Sequence, residues 1–367
     1  MNQTKITELQ ASLQQSGADL AYVADPGRIA YLSGYTSDPH ERILALFIPA
    51  NGDPFLFTPA LEIEDAENSS WAYDVLGYLD SENPWEMIKA AILARYPAPK
   101  KIALEKNALT LDRFEILQGL FPGCDFSLDI TPVLQRLMLL KTDSEIKTML
   151  EAGAWADEAF RIGFNAIKAG VPEAEIVAEI EYQLKRQGVS QMSFDTIVLA
   201  GANAASPHGV PGKNQIKENE LVLFDLGVVW KGYCSDATRT VAYKEPTAFQ
   251  KEIYNLTLLA QETAQKAVRP GVTAAELDAI ARGVITEAGY GEYFNHRLGH
   301  GIGTTVHEFP SLVEGNDLVI EKGMCFSIEP GIYIPGKVGV RIEDCVYVTE
   351  DGCVPFTKTP KELQIID

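Results

Sequence analysis

The sequence predicts a mixed α/β (α+β) chain in two domains, residues 1–130 and 131–367, the second built as a pseudo-twofold internal duplication. Three observations predict this. The chain has 367 residues, too many for one typical core. Short apolar runs alternate with amphipathic ones in its first part, the pattern of a mixed sheet sandwiched by helices. Further on, a helix–helix–strands pattern recurs at a spacing of 101 residues: GVPEAEIVA (Gly170–Ala178) aligns with GVTAAELDA (Gly271–Ala279), and Gly188 with Gly289. Such a duplication makes the junction of its halves the expected place for a site.

In the first part, Ile6, Leu9 and Leu13 recur at helical spacing and predict an opening helix. Leu20–Val23 and Ile43–Ile48 read as strands. Ala50–Asp53 is a turn that joins Ile43–Ile48 to Phe55–Thr58 in a hairpin. Asn83–Tyr96 reads as a helix, Lys101–Glu105 as a strand and Thr110–Leu120 as another helix. Ser37–Arg42 stands apart: it is polar, carries both charge signs and includes His40. Taken alone it is an exposed loop and His40 a structural residue. A loop that reaches another domain or subunit is the functional alternative.

In the second part, Thr142-Asp143-Ser144-Glu145 has the capping-box form and should start a long helix ending near Gly170. A second helix follows Pro172 and stops at Gly188. Thr247–Val268 is the counterpart of the first of these helices. The polar residues repeat as well. His208, Asp225 and Asp236 in one half match His307, Glu329 and Glu343 in the other, and the two histidines lie 99 residues apart. His300 alone has no counterpart; it sits in NHRLGHGIGTTVHE (Asn295–Glu308), bracketed by Gly299, Gly301 and Gly303, which let backbone pass close to another group.

The formal net charge is -20, and Lys/Arg against Asp/Glu runs 9 to 19 in residues 1–130 and 22 to 32 in the remainder, so each part carries -10. This acidity argues against nucleic acid and anionic membranes as partners, since both need a basic patch. The five cysteines are odd in number and form no CxxC, which points to reduced thiols and a cytoplasmic protein. The polar N-terminus has no apolar core of a secretory signal, and no run of about 18 apolar residues predicts a membrane span.

Asp225 ends the apolar strand LVLFDLG and Asp236 opens the next one, with Trp230–Tyr233 as the turn between them. Glu329 follows MCFSI and precedes the break at Pro330-Gly331, and Glu343 sits inside VRIEDCVYV. Carboxylates buried in apolar strands need partners. One could pair with an arginine, but four exceed what Arg239, Arg297 and Arg341 neutralise. Two divalent cations match four carboxylates in charge, and His300 adds a neutral nitrogen. Oxygen-rich ligation with one imidazole suits manganese, iron, cobalt or zinc better than copper. Such a pair holds a bridging hydroxide and polarises a carbonyl. A lone histidine near a strand end is more often structural than a ligand, and the glycine-flanked His300 is the exception. His296 divides between a structural role and a substrate contact. The GxGxG around His300 lacks the strand and helix of a phosphate loop.

The set Asp225, Asp236, His300, Glu329 and Glu343 resembles the ligands of the dinuclear metallopeptidases of the pita-bread fold. That family includes methionine aminopeptidase, aminopeptidase P and prolidase. SPHGVPG (206–212), VLFDLG (222–227), CSDATRT (234–240), GHGIG (299–303), VHEFPSL (306–312), SIEPGIY (327–333) and GVRIEDCVYVTEDG (339–352) are similar to its motifs, in its order. Ile29–Pro49 is similar to the creatinase-type N-terminal domain that methionine aminopeptidases lack. The chain therefore resembles the bacterial Xaa-Pro dipeptidases most.

The resemblance implies a creatinase-like domain before a pita-bread domain, two divalent metals with Mn²⁺ first and Co²⁺ or Zn²⁺ as alternatives, a homodimer, and small peptides ending in proline as substrates. It implies attack by the bridging hydroxide, Glu329 relaying a proton, His208 stabilising the oxyanion, and His307 positioning the substrate. Arg341, two residues from Glu343, would orient that ligand. Asp38, His40 and Arg42 would limit substrate length from the partner subunit. Ser311 stands where some relatives carry an arginine that contacts the substrate's carboxyl end, which passes that contact to His40, Arg42, His296 or Arg341. The alternatives are an aminopeptidase P acting on longer peptides and a catalytically silent binding protein; retention of all five ligand types disfavours the second, along with metal-free creatinase-like hydrolysis.

Overall fold

A five-stranded mixed sheet organises the first of two units, Met1–Met138, in the computed structural model, which describes residues 1–367. Its strands are β1 (Leu20–Val23), β2 (Ala45–Pro49), β3 (Phe55–Pro59), β4 (Val75–Tyr78) and β5 (Ile102–Leu104), in the order β4-β3-β2-β1-β5. The β1–β5 and β3–β4 pairs are parallel and the others antiparallel. Side chains alternate across a strand. Ala21 and Val23 of β1 accordingly join Ile6, Leu9 and Leu13 of helix α1 (Gln3–Ser16) on one face, while Leu20 and Tyr22 join Ile88 and Ile92 on the other. The expected hairpin forms, with Ala45 opposite Phe57.

The remaining helices are α2 (Pro26–Ser33), α3 (Ile63–Glu67), α4 (Pro84–Arg95), α5 (Leu111–Leu120) and α6 (Thr131–Leu139). Asn83 and Thr110 cap α4 and α5, as their residue types favour. Helix α2 was missed in the sequence, although the Asp25 side chain accepts from Arg28 N at its start and Pro26 occupies its first turn. The second strand starts at Ala45 rather than Ile43, whose N–H donates to the Tyr78 hydroxyl instead of a ladder partner.

The second unit, Leu139–Asp367, shows the duplication in its backbone. Helices α7 (Asp143–Ala166) and α8 (Glu173–Arg186) correspond to α9 (Ala248–Ala267) and α10 (Ala274–Glu287). Thr142 and Thr247 both close capping boxes. Gly170 and Gly271 have φ of 83° and 97°, and each donates its N–H to an isoleucine carbonyl, Ile216 or Ile320. Two separate apolar clusters fill the halves, one around Phe160, Ile180 and Phe224, the other around Tyr254, Leu277 and Phe326.

The strands are β6 (Gln191–Met192), β7 (Ile197–Ala200), β8 (Glu220–Leu226), β9 (Val228–Trp230), β10 (Tyr233–Cys234), β11 (Ala237–Tyr243), β12 (Gly299–Gly301), β13 (Glu308–Leu312), β14 (Cys325–Ile328), β15 (Gly331–Ile334), β16 (Val338–Arg341), β17 (Glu343–Val348), β18 (Cys353–Pro355) and β19 (Ile365–Ile366). The main sheet runs β13-β12-β14-β17-β11-β8-β7. Its two halves therefore meet where β11 pairs β17, over Ala237–Asp344 and Thr238–Glu343 only. Val340–Val348 is not one strand: it breaks at Ile342 into β16, which pairs β15, and β17, which pairs β14 and β11. No helix is long and apolar enough to cross a membrane.

Candidate metal centre and active site

The junction of the halves brings the predicted carboxylates together. On β8, Asp225 stands opposite Thr238, and Thr238 stands opposite Glu343 on β17. Asp236 directly precedes β11, and Glu329 directly follows β14. Single ligand atoms of Asp236, His300 and Glu343 lie within 4.8 Å of one another, all three residues buried. With Asp225 and Glu329 they line a cavity of about 550 Å³.

Three of the carboxylates have a buried oxygen with no hydrogen-bond partner: Asp225 Oδ1, Asp236 Oδ1 and Glu343 Oε1. Burial first, then Glu343, Asp225 and Glu329, pushes Asp236 well above the usual carboxylate range. Burial, then Glu329 and Asp225, does the same to Glu343. Burial raises Asp225 despite the opposing Arg341. A buried polar atom left unpaired is costly, and such atoms mark the place of a bound group.

His300 points to the same conclusion. Its Nδ1 lies 3.0 Å from Gly301 O, which can only accept, so Nδ1 carries the proton of the neutral ring. Nε2 then presents a lone pair to Glu329 Oε1 at 3.2 Å and Asp236 Oδ2 at 3.5 Å. A lone pair facing two carboxylates requires a cation between them. Burial opposes ionisation of Glu329, but its contact with His300 and the neighbouring His296 and Arg341 hold it at about 2. Four carboxylates and one imidazole fit hard divalent cations.

Supporting contacts that the sequence did not disclose fix these groups. Ser327 Oγ donates to Glu329 Oε1 at 2.8 Å and accepts from His300 N at 3.0 Å. Thr238 Oγ1 donates to Glu343 Oε2 at 2.7 Å. Arg341 does not bond Glu343 directly, since the break at Ile342 separates them, but its Nε donates to Thr238 Oγ1, which in turn donates to Glu343; the rest of its guanidinium donates to Asp225 Oδ2 and the Tyr333 hydroxyl. Arg239 is also spent elsewhere, on Asp344 at 2.7 Å.

The glycines serve neighbouring backbone rather than the metals. A Cβ on Gly299 would lie 1.9 Å from Ser327 O, and one on Gly301 would lie 2.2 Å from Phe309 O. They let β12 press between β13 and β14 so that His300 reaches the cavity.

His208 and His307, both exposed, line this cavity with His300. The His307 and His300 rings meet edge to face, 4.3 Å apart. Burial, then the neighbouring His300, lowers His307 to about 4, so it is neutral at pH 7. Both nitrogens of His296 are taken by the protein, Nδ1 by Arg297 O at 2.7 Å and Nε2 by the Tyr333 hydroxyl at 3.0 Å. His296 nevertheless lines the cavity, so both of its expected roles stand, and burial lowers its pKa. Arg297 also lines the cavity and donates to Ser311 Oγ at 2.8 Å. The sequence had offered it only as a charge partner for the acids.

Asp38, His40 and Arg42 belong to the first unit. There Asp38 and His40 are exposed and His40 has a φ of 52°. Arg42 is held within its own unit. Its Nε and Nη2 donate to Asp80 at 2.9 and 3.0 Å, and Arg113 Nη2 donates to the Glu41 and Arg42 carbonyls. Arg42 thus anchors the loop.

Residues 147–350 match metallopeptidase family M24, and residues 5–137 match the creatinase/prolidase N-terminal domain. The chain is 55% identical over 362 residues to the Xaa-Pro dipeptidase of Lactobacillus helveticus, covering 98% of both. Among solved structures it is similar to the Xaa-Pro dipeptidase from Bacillus anthracis, with 36% identity, a TM-score of 0.91 and 99% of each chain covered. It is also similar to the X-Pro aminopeptidase from Thermotoga maritima, with 31% identity, a TM-score of 0.86, and 97% of this chain and 100% of that one covered.

Proposed function

The chain belongs to metallopeptidase family M24, and on that premise we propose that it is a metal-dependent Xaa-Pro dipeptidase, acting on small peptides that end in proline. The observation that carries the reading is the cluster of buried Asp236, His300 and Glu343 with half-buried Asp225 and Glu329 around one cavity, three of whose carboxylate oxygens are buried without a partner. Full-length likeness to Xaa-Pro dipeptidases supports the substrate class.

These five residues would hold two divalent cations. When bound, the cations supply Lewis-acid polarisation of the scissile carbonyl and activate the attacking water. The chain's own groups do the rest. With Oε1 held by Ser327, Glu329 accepts the water's proton at its other oxygen and passes it to the leaving nitrogen of proline. His208 donates to the oxygen that becomes negative in the tetrahedral intermediate. Neutral His307 donates to the substrate and fixes its orientation. Arg341, backed by Tyr333, opposes the effect of burial on Asp225 and holds its carboxylate in place. A prolyl imide has no N–H to bond, so the ring must be held by shape, and Phe194, Ile197 and Val306 give the cavity its apolar wall. Arg297, with a hydroxyl as its hydrogen-bond partner, is the cation proposed for the substrate carboxylate.

Mn²⁺ is the proposed metal because the ligand set is mostly hard oxygen; Co²⁺ and Zn²⁺ compete for it. The proposed assembly is a homodimer, with Asp38 and His40 of the anchored loop limiting substrate length. Five free cysteines support a cytoplasmic location. Likeness to an X-Pro aminopeptidase favours one second reading, release of the first residue from longer peptides. Hydrolysis of Leu-Pro and of Leu-Pro-Pro-Gly by the metal-loaded protein separates the two. The dipeptidase reading expects Leu-Pro to be cleaved and the tetrapeptide spared; the reverse overturns it.

A further inference from the structure

His307 poses a problem of support. It is exposed, no hydrogen bond holds its imidazole, and yet the ring stands against buried His300. Its position must come from the turn that carries it, Gly303–His307.

That turn is tied at its base by a buried carboxylate. Glu308, the first residue of β13, folds its side chain back over the turn. Oε1 accepts from Thr305 N at 3.2 Å and Thr304 Oγ1 at 3.3 Å. Oε2 accepts from Lys141 Nζ at 2.9 Å. A Cβ on Gly303 would lie 2.5 Å from Glu308 Oε1, so a side chain there would displace the carboxylate from the turn. On the turn's other side, Cys234 N donates to Gly303 O at 2.8 Å.

Lys141 is the unusual partner. Its side chain is 2% exposed and that of Glu308 is 7% exposed. Lysine and glutamate are almost never buried unless paired. Neither lines the cavity, and Lys141 precedes the segment that matches family M24. Its backbone is fixed as well: Lys141 N donates to Gly323 O at 2.9 Å, just before β14. The ammonium is therefore delivered from a fixed point and pairs with the Glu308 carboxylate beneath the turn.

We propose that the buried Lys141–Glu308 pair positions the Gly303–His307 turn, and through it sets the His307 ring over the substrate. Both residues are positioning residues, acting through His307. The kinetic consequence rests on the dipeptidase reading; the anchoring of the turn does not.

The test uses the full-length metal-loaded protein with Lys141→Met, Glu308→Gln, His307→Ala and the pairwise combinations. Glu308→Gln keeps volume and acceptor geometry, so it serves if Lys141→Met fails to fold. Three quantities are read: kcat/KM on Leu-Pro, bound metal, and hydrogen exchange of the Thr305 amide without substrate. Each pair variant should lose about 10- to 100-fold in kcat/KM, the cost of a misplaced group, at unchanged metal content. Adding His307→Ala should cost little more, because the losses share one route. Thr305 should exchange faster in both pair variants. Losses that add independently to that of His307→Ala, or unchanged exchange at Thr305, overturn the proposal. A wild-type protein inactive on Leu-Pro refutes the dipeptidase reading alone, and exchange then decides the anchoring.

Discussion

Thr238 shows at the residue scale what sequence discloses and what it hides. The acids were legible because ionisable groups in apolar strand contexts demand partners, and so was His300, flanked by glycines. Thr238 was not, because its role depends on cross-strand register: it stands opposite both Asp225 and Glu343. Tyr333 was hidden for the same reason, and so was the route from Arg341 to Glu343 through Thr238, because a spacing of two residues implied a continuous strand. The register has a measurable consequence. Thr238→Val keeps the shape and removes the hydroxyl that holds Glu343 Oε2. Metal affinity should fall about 10- to 100-fold, as is typical when a ligand loses its supporting hydrogen bond. A calorimetric metal titration checks this, and unchanged affinity would show that strand pairing alone positions Glu343.

At the scale of elements, helix starts with a capping signature were readable to the residue. Thr142 and Thr247 each close a box with the third helical residue. Helix α2 was lost because it spans only Pro26–Ser33, too short for periodicity to register. The matching caps predict matching energetics. Thr247→Ala removes the acceptor for Gln250 N at an exposed helix start. It should destabilise the second unit by about 1 kcal/mol. For a domain of this size the melting temperature should drop by roughly 2–4 °C. Activity on Leu-Pro at 25 °C should be unchanged. Thermal denaturation followed by circular dichroism provides the check; an equal melting temperature would mean that packing of α9, not its cap, sets the helix boundary.

At the scale of the molecule, the duplication explains why one site draws ligands from both halves. Each half brings an acid pair and an exposed histidine to the seam where β11 meets β17. The repeat was visible because glycines and caps recur at fixed spacing, whereas the number of strands and their order were not, since pairing is long-range. A chain of net charge -20 that gathers four carboxylates at one seam, three with a buried unpaired oxygen, needs cations there. The most direct measurement is metal content and Leu-Pro hydrolysis followed together while a chelator strips the purified protein and Mn²⁺ is then returned. Two ions per chain are expected, with activity falling as they leave and recovering as they come back. Full hydrolysis by protein that holds no metal would contradict the account.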